Sequence, residues 1–166
     1  MSVKATTQAV SNVPVGSGTI PNGLGAQYAT FYVDQIFFGI EVLKVQEVLR
    51  YQRMTPVPLA PSVVEGLINL RGQIVTAVDL RERIGLPKRG TECPPHNVVV
   101  TNSEGVVSLL VDGIGDVVEV RGETFETPPE TIPEAMRAVL EGVYKLDGKL
   151  LLVLSVERVL EFSQQE

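Results

Sequence analysis

The chain has 166 residues, 44% hydrophobic and 20% charged, enough for one domain, or two small joined halves, around a real core. Its net charge of −6 argues against the basic stripe of a nucleic-acid binder and against an anionic membrane surface as partner. Twenty-seven valines and no tryptophan point to a sheet-rich fold.

Residues 1 to about 26 are rich in Thr, Gln, Ser, Asn, Pro and Gly without apolar periodicity, and read as a flexible tail before one domain spanning 27–166. Gly16, Gly18, Gly23 and Gly25 do not make a nucleotide loop, because the GxGxxG spacing fails at Pro21 and no strand precedes it. Lys4 is followed by polar residues, not by the apolar stretch of a signal peptide. The longest apolar runs, such as Leu150 to Leu154, are too short to cross a membrane as a helix. A single cysteine, Cys93, leaves no intrachain disulfide, and a cytoplasmic protein is expected.

From Tyr28 onward short apolar runs alternate with turn signals. The predicted strands are Tyr28–Val33, Ile36–Ile40, Val45–Arg50, Gly66–Leu70 and Ile74–Val78, then Val98–Thr101, Val106–Val111, Asp116–Val120, Gly142–Leu146 and Leu150–Leu154. Arg71-Gly72, Glu104-Gly105 and Asp147-Gly148 read as hairpin turns. After Asp79 the segment LRERIGL turns helical, with Asp79 as N-cap, Glu82 completing a capping box and Pro87 beyond its end. Ser155 caps a second helix over VERVLEF, and a third runs from about Pro133 to Leu140.

Candidate chemistry is sparse. Cys93 and His96 stand three residues apart in TECPPHN, too few ligands for a structural zinc and, with Pro94 and Pro95 between them, poorly built for a Cys–His nucleophile. Glu41 with Glu47, or Asp112 with Asp116, could form a glycosidase-like carboxylate pair. The chain lacks the aromatic residues that line sugar sites, and acids at these spacings recur on solvated strands.

The chain also repeats itself. EGLINLRGQIVTAVDLRERIGL from Glu65 aligns without a gap on EGVYKLDGKLLLVLSVERVLEF from Glu141. Glu65/Glu141, Gly66/Gly142, Leu70/Leu146 and Gly72/Gly148 are identical, and Ile74/Leu150, Val78/Leu154 and Ile84/Leu160 match as apolar. Upstream, FGIEVLKVQEVLR from Phe38 matches VSLLVDGIGDVVE from Val107, and the length difference falls in a connecting loop, where insertions cost little. Duplication implies two similar barrels of about five strands, each too small to bury its own apolar set, packed across a common core. The halves differ at the hairpin tips, Arg71 in one and Asp147 in the other.

In this order and spacing, FGIEVLKVQEVLR, VEGLINLRGQIVTAVDLRERIGL and VVSLLVDGIGDVVEV resemble the CheW family, over nearly everything from Tyr28 to Phe162. The resemblance implies a mainly β fold of two pseudo-symmetric SH3-like five-stranded barrels sharing a core, with short helices, no catalytic activity and no cofactor. It implies an adaptor that joins the regulatory domain of the histidine kinase CheA to the cytoplasmic tip of methyl-accepting chemoreceptors. Carried over by position, Val45 and Glu47 fall at the kinase contact, Gly66, Arg71 and Val117 where receptor coupling is sensitive, and Val98 and Val99 at further surface contacts. Other readings stay open: Val45 as barrel core, Gly66 as a backbone requirement, Val117 as a plain strand residue, Arg71 as a solvated turn charge. The chain departs from the family at Ser108, where many members have Gly, and in its longer tail. A coupling protein of a related chemosensory system, with twitching or gliding as output, is the alternative function.

Overall fold

A computed structural model describes residues 25–90, 92–121 and 125–161; the expected tail, up to residue 24, lies outside them. Eleven strands are described: β1 (Ala26–Val33), β2 (Ile36–Glu41), β3 (Val45–Leu49), β4 (Val64–Leu70), β5 (Gln73–Asp79), β6 (His96–Asn102), β7 (Gly105–Val111), β8 (Gly113–Val120), β9 (Phe125–Glu126), β10 (Leu140–Leu146) and β11 (Lys149–Leu154). Three one-turn helices accompany them: α1 (Leu80–Arg83), α2 (Glu134–Arg137) and α3 (Val156–Val159).

The strands form two sheets, ordered β8-β1-β2-β11-β10-β9 and β3-β6-β7-β5-β4. The duplicated segments and the sheets do not coincide. The five-stranded sheet takes β3, β4 and β5 from the first repeat and borrows β6 and β7 from the second, while the six-stranded sheet takes β8 to β11 from the second and borrows β1 and β2 from the first. The symmetry nonetheless holds residue by residue. The parallel pairing Thr76↔Val107 and Ala77↔Ser108 has its mate in Leu152↔Phe38 and Val153↔Gly39. The β4 bulge between Val64 and Gly66 recurs in β10 between Leu140 and Gly142. The expected two barrels of about five strands are found, with five and six strands in the two sheets; the sixth is β9, which no sequence pattern announced and which adds two residues beside β10.

This exchange explains why so many strands read as unbroken apolar runs: both faces are covered. In β11, Leu151 and Val153 face a cluster with Tyr28, Phe37 and Tyr144, while Leu152 and Leu154 face the large cluster shared by both sheets. In β5, Val75 and Ala77 line the second barrel's own cluster with Ile68 and Leu110, and Val78 joins the shared one. Ser108 is fully buried, and its hydroxyl donates to Asn97 Oδ1 at 2.7 Å. It fits because its ladder neighbour is the small Ala77, whereas its mate Gly39 sits beside Val153 and under Leu151.

Several local expectations need correction. Asp79 caps α1 by accepting the Arg81 N–H at 3.1 Å, but the reciprocal capping-box bond is not made. The Asp79 N–H goes instead to Val63 O at 2.8 Å, as the Ser155 N–H goes to Val139 O at 2.9 Å in the other half. The helix expected over LRERIGL is one turn, and Ile84 and Leu86 follow it as packing residues of the shared core. The third hairpin turns at Ser103-Glu104, both its Glu104 and Gly105 N–H groups donating to Asn102 Oδ1. His96 opens β6 rather than lying in a loop, and Cys93 is exposed.

A charged lattice pins the crossover between the repeats. Arg81 Nε donates to both oxygens of Asp112 at 3.1 and 3.0 Å, and Arg89, from the segment after α1, reaches Asp79 at 3.3 Å and Asp112 at 3.1 Å. Burial alone would raise the Asp112 carboxyl; bonds from Arg81 and the Asp34 N–H, with the charges of Arg81 and Arg89, outweigh it and hold its pKa below the usual range. Arg83 donates to the carbonyls of Arg158 and Val159, both at 2.8 Å, which ties α1 to the C-terminal end of α3.

Candidate functional site

Two of the expected contact residues meet. Glu47 lies on β3, one edge of the five-stranded sheet, and Arg71 at the tip of the β4–β5 hairpin, at the other edge. The sheet curls so that Arg71 Nη2 and Glu47 Oε2 form a hydrogen-bonded ion pair across its mouth. The Arg71 side chain is 71% exposed and that of Glu47 20%. On sequence alone neither had an obvious partner; each is the other's.

The tip is built in a particular way. Arg71 has φ +52° and Gly72 φ +87°, two successive left-handed residues, as in the type I′ turn that matches strand twist. The Gly72 N–H donates to Asn69 Oδ1 at 2.9 Å. In the equivalent hairpin only Gly148 is left-handed and Lys145 stands in the Asn69 position. The two tips are therefore different turns, not one turn with two side chains. Beside Arg71, Ile74 is 60% exposed opposite Asn69, although its mate Leu150 packs against the shared core. Periodicity could not reveal Ile74 as a surface residue, because it stands directly beside the buried Val75 in an apolar pair where either side chain could face inward.

The remaining expected residues are placed differently. Val45 is 5% exposed, and with Val98 it belongs to the shared core; Val99 belongs to the second barrel's cluster. The expectation that Val98 and Val99 are surface contacts is corrected: β6 is an interior strand between β3 and β7, and both valines are buried. Gly66 is buried, and a Cβ there would stand 2.7 Å from Thr55 O. Its mate Gly142 has the same relation to Glu126 O, also at 2.7 Å. Thr55 pairs with Leu67 as Glu126 pairs with Val143, so the glycine admits a neighbouring backbone in both halves. Val117, on the opposite sheet's edge strand β8, is half-buried against the shared core. It is the mate of Val48, since Val117 pairs with Ala29 as Val48 pairs with Val98.

Among the described residues no group of three or more His, Cys, Asp or Glu side chains could hold a metal ion, and no helix is long and apolar enough to cross a membrane. What the surface does present is an exposed guanidinium and an apolar side chain on the β4–β5 hairpin, with a carboxylate from β3 facing the guanidinium. That is the equipment of a docking module on a pair of fused SH3-like barrels.

Residues 27–164 match the model of the CheW-like domain family, and the chain belongs to that family. It is 30% identical over 139 residues to the chemotaxis protein CheW of Klebsiella aerogenes, covering 82% of each chain. It is 28% identical to that of Rhizobium meliloti, covering 89% of this chain and 94% of the relative. The crystal structure of the scaffolding protein TtCheW from Thermoanaerobacter tengcongensis superposes with a TM-score of 0.74 at 28% identity, over 83% of this chain and 94% of that one. The chain is thus a member of the chemotaxis scaffold and adaptor proteins.

Proposed function

We propose that this chain couples chemoreceptors to the CheA histidine kinase, acting in the cytoplasm as a link that binds both. The observation that carries the reading is the Glu47–Arg71 pair. The residue expected at the kinase contact and the residue expected at the receptor contact stand side by side at one sheet mouth, so a single surface can present both contacts. An arginine with an exposed isoleucine beside it also suits a helical receptor tip, since a guanidinium bonds carboxylates or free carbonyls in pairs and an apolar anchor supplies contact area. Gly66 would serve the receptor contact through the hairpin it braces, and Val117 by contact from the facing sheet edge.

The test is reconstitution. Receptor-containing membrane vesicles and the kinase are sedimented with and without this protein, and ATP turnover by the kinase is followed. The expected result is that all three co-sediment only together and that turnover responds to receptor ligand. Kinase and receptor that neither bind this protein nor change in activity with it would contradict the reading.

A further inference from the structure

We infer that Asn69 is a positioning residue for partner docking: it holds the Arg71 tip in its left-handed turn and thereby aims the guanidinium. This rests on the docking role proposed for Arg71. Three observations carry it. Asn69 is exposed, so its side chain is not needed to fill the core. Its Oδ1 accepts the Gly72 N–H at 2.9 Å, a side-chain-to-backbone bond that closes the turn in the form where Arg71 has φ +52°. The pseudo-symmetric hairpin is the internal control: Lys145 replaces Asn69, the residue equivalent to Arg71 is not left-handed, and Asp147 replaces the arginine. Acceptor, left-handed arginine and ion pair with Glu47 thus occur together in one half and are absent together from the other. With the acceptor gone, the tip samples other turns and Arg71 spends less time aimed at Glu47 and at a partner, which weakens binding without any contact of Asn69's own.

The experiment uses full-length variants and a soluble cytoplasmic tip fragment of the cognate chemoreceptor, with affinity measured by calorimetry and folding by thermal melts. Asn69→Ala should weaken binding about fivefold, the size of one lost ordering hydrogen bond. Asn69→Asp, which keeps the acceptor, should restore it. The double variant Asn69→Ala/Arg71→Ala should bind no worse than Arg71→Ala alone. Wild-type affinity in Asn69→Ala, with Arg71→Ala impaired, would overturn the inference and leave the role of Arg71 standing. Losses that add fully would overturn it too, since Asn69 would then touch the partner itself. An unfolded Asn69→Ala accompanied by an unfolded Asn69→Asp would make the residue part of the scaffold. Full affinity in Arg71→Ala would remove the docking role itself, and the inference with it.

Discussion

Arg71 contributes little to the fold and is expensive to keep. A left-handed backbone costs an L-residue about 1–2 kcal/mol, and asparagine tolerates it far better than arginine. The ion pair with Glu47 returns about 0–1 kcal/mol at so exposed a site. Arg71→Asn should therefore melt at the wild-type temperature or about 2–4 °C higher; a clear drop would show that the guanidinium holds the barrel together. Gly66 is the opposite case. Gly66→Ala drives a methyl against Thr55 O and should cost about 1–3 kcal/mol, with Gly142→Ala costing a similar amount, which denaturant titration of the two variants would measure. Equal losses would mark Gly66 as scaffold first, and any effect on receptor coupling as indirect. Single residues were only partly legible in the sequence. Glu47 and Arg71 stood out as charges on strand and turn, but Val98 and Val99 sit in a strand covered on both sides, where an outward valine and an inward one look alike, and Val45 turns into the shared core from the edge strand β3.

Most strands could be read from their bounding turn signals, and the helices from their caps. What escaped were features that depend on a distant partner: β9 exists only because β10 offers Val143 and Tyr144, and the Asp79 N–H left its capping box for Val63 O. The lattice on α1 is another such feature, drawing Asp34, Asp79, Arg81, Arg89 and Asp112 from separated elements. Removing its centre leaves two mostly buried guanidinium groups undercompensated, so Asp112→Ala should destabilise the protein by about 2–4 kcal/mol. The sign of its pH dependence follows from the depressed carboxyl. The stabilisation is present above the carboxyl's unfolded pKa, near 4, and fades as pH falls through the lower folded value. Wild type should lose this increment on acidification while Asp112→Ala, having none to lose, shows a shallower acid limb in urea-melt stability between about pH 5 and 2. Parallel limbs would place the acid sensitivity elsewhere.

Duplication was legible in the sequence, and so was a core common to both halves; the exchange of strands was not, since a repeat records ancestry and not which strands pair. Its consequence is testable. Residues 25–90 hold β1 to β5, yet β3 lacks β6, its one ladder partner among the described residues, and β1 and β2 lack β8 and β11. Each repeat expressed alone should be unfolded by circular dichroism and amide dispersion, and the two should fold when mixed; a cooperative melt from either one alone would contradict the exchange.

On this exchanged frame one half carries a feature the other lacks, and the proposed coupling depends on it. Arg71→Asp copies the residue of the second half and sets two carboxylates, Asp and Glu47, where a pair had been. The most direct measurement is the affinity of the folded Arg71→Asp protein for the receptor tip, beside its affinity for the kinase regulatory domain. The account predicts an unchanged melting profile, kinase binding largely kept, and a loss of about 2–4 kcal/mol toward the receptor tip, as attraction turns to repulsion. Receptor-tip binding at wild-type strength by the folded variant would contradict it.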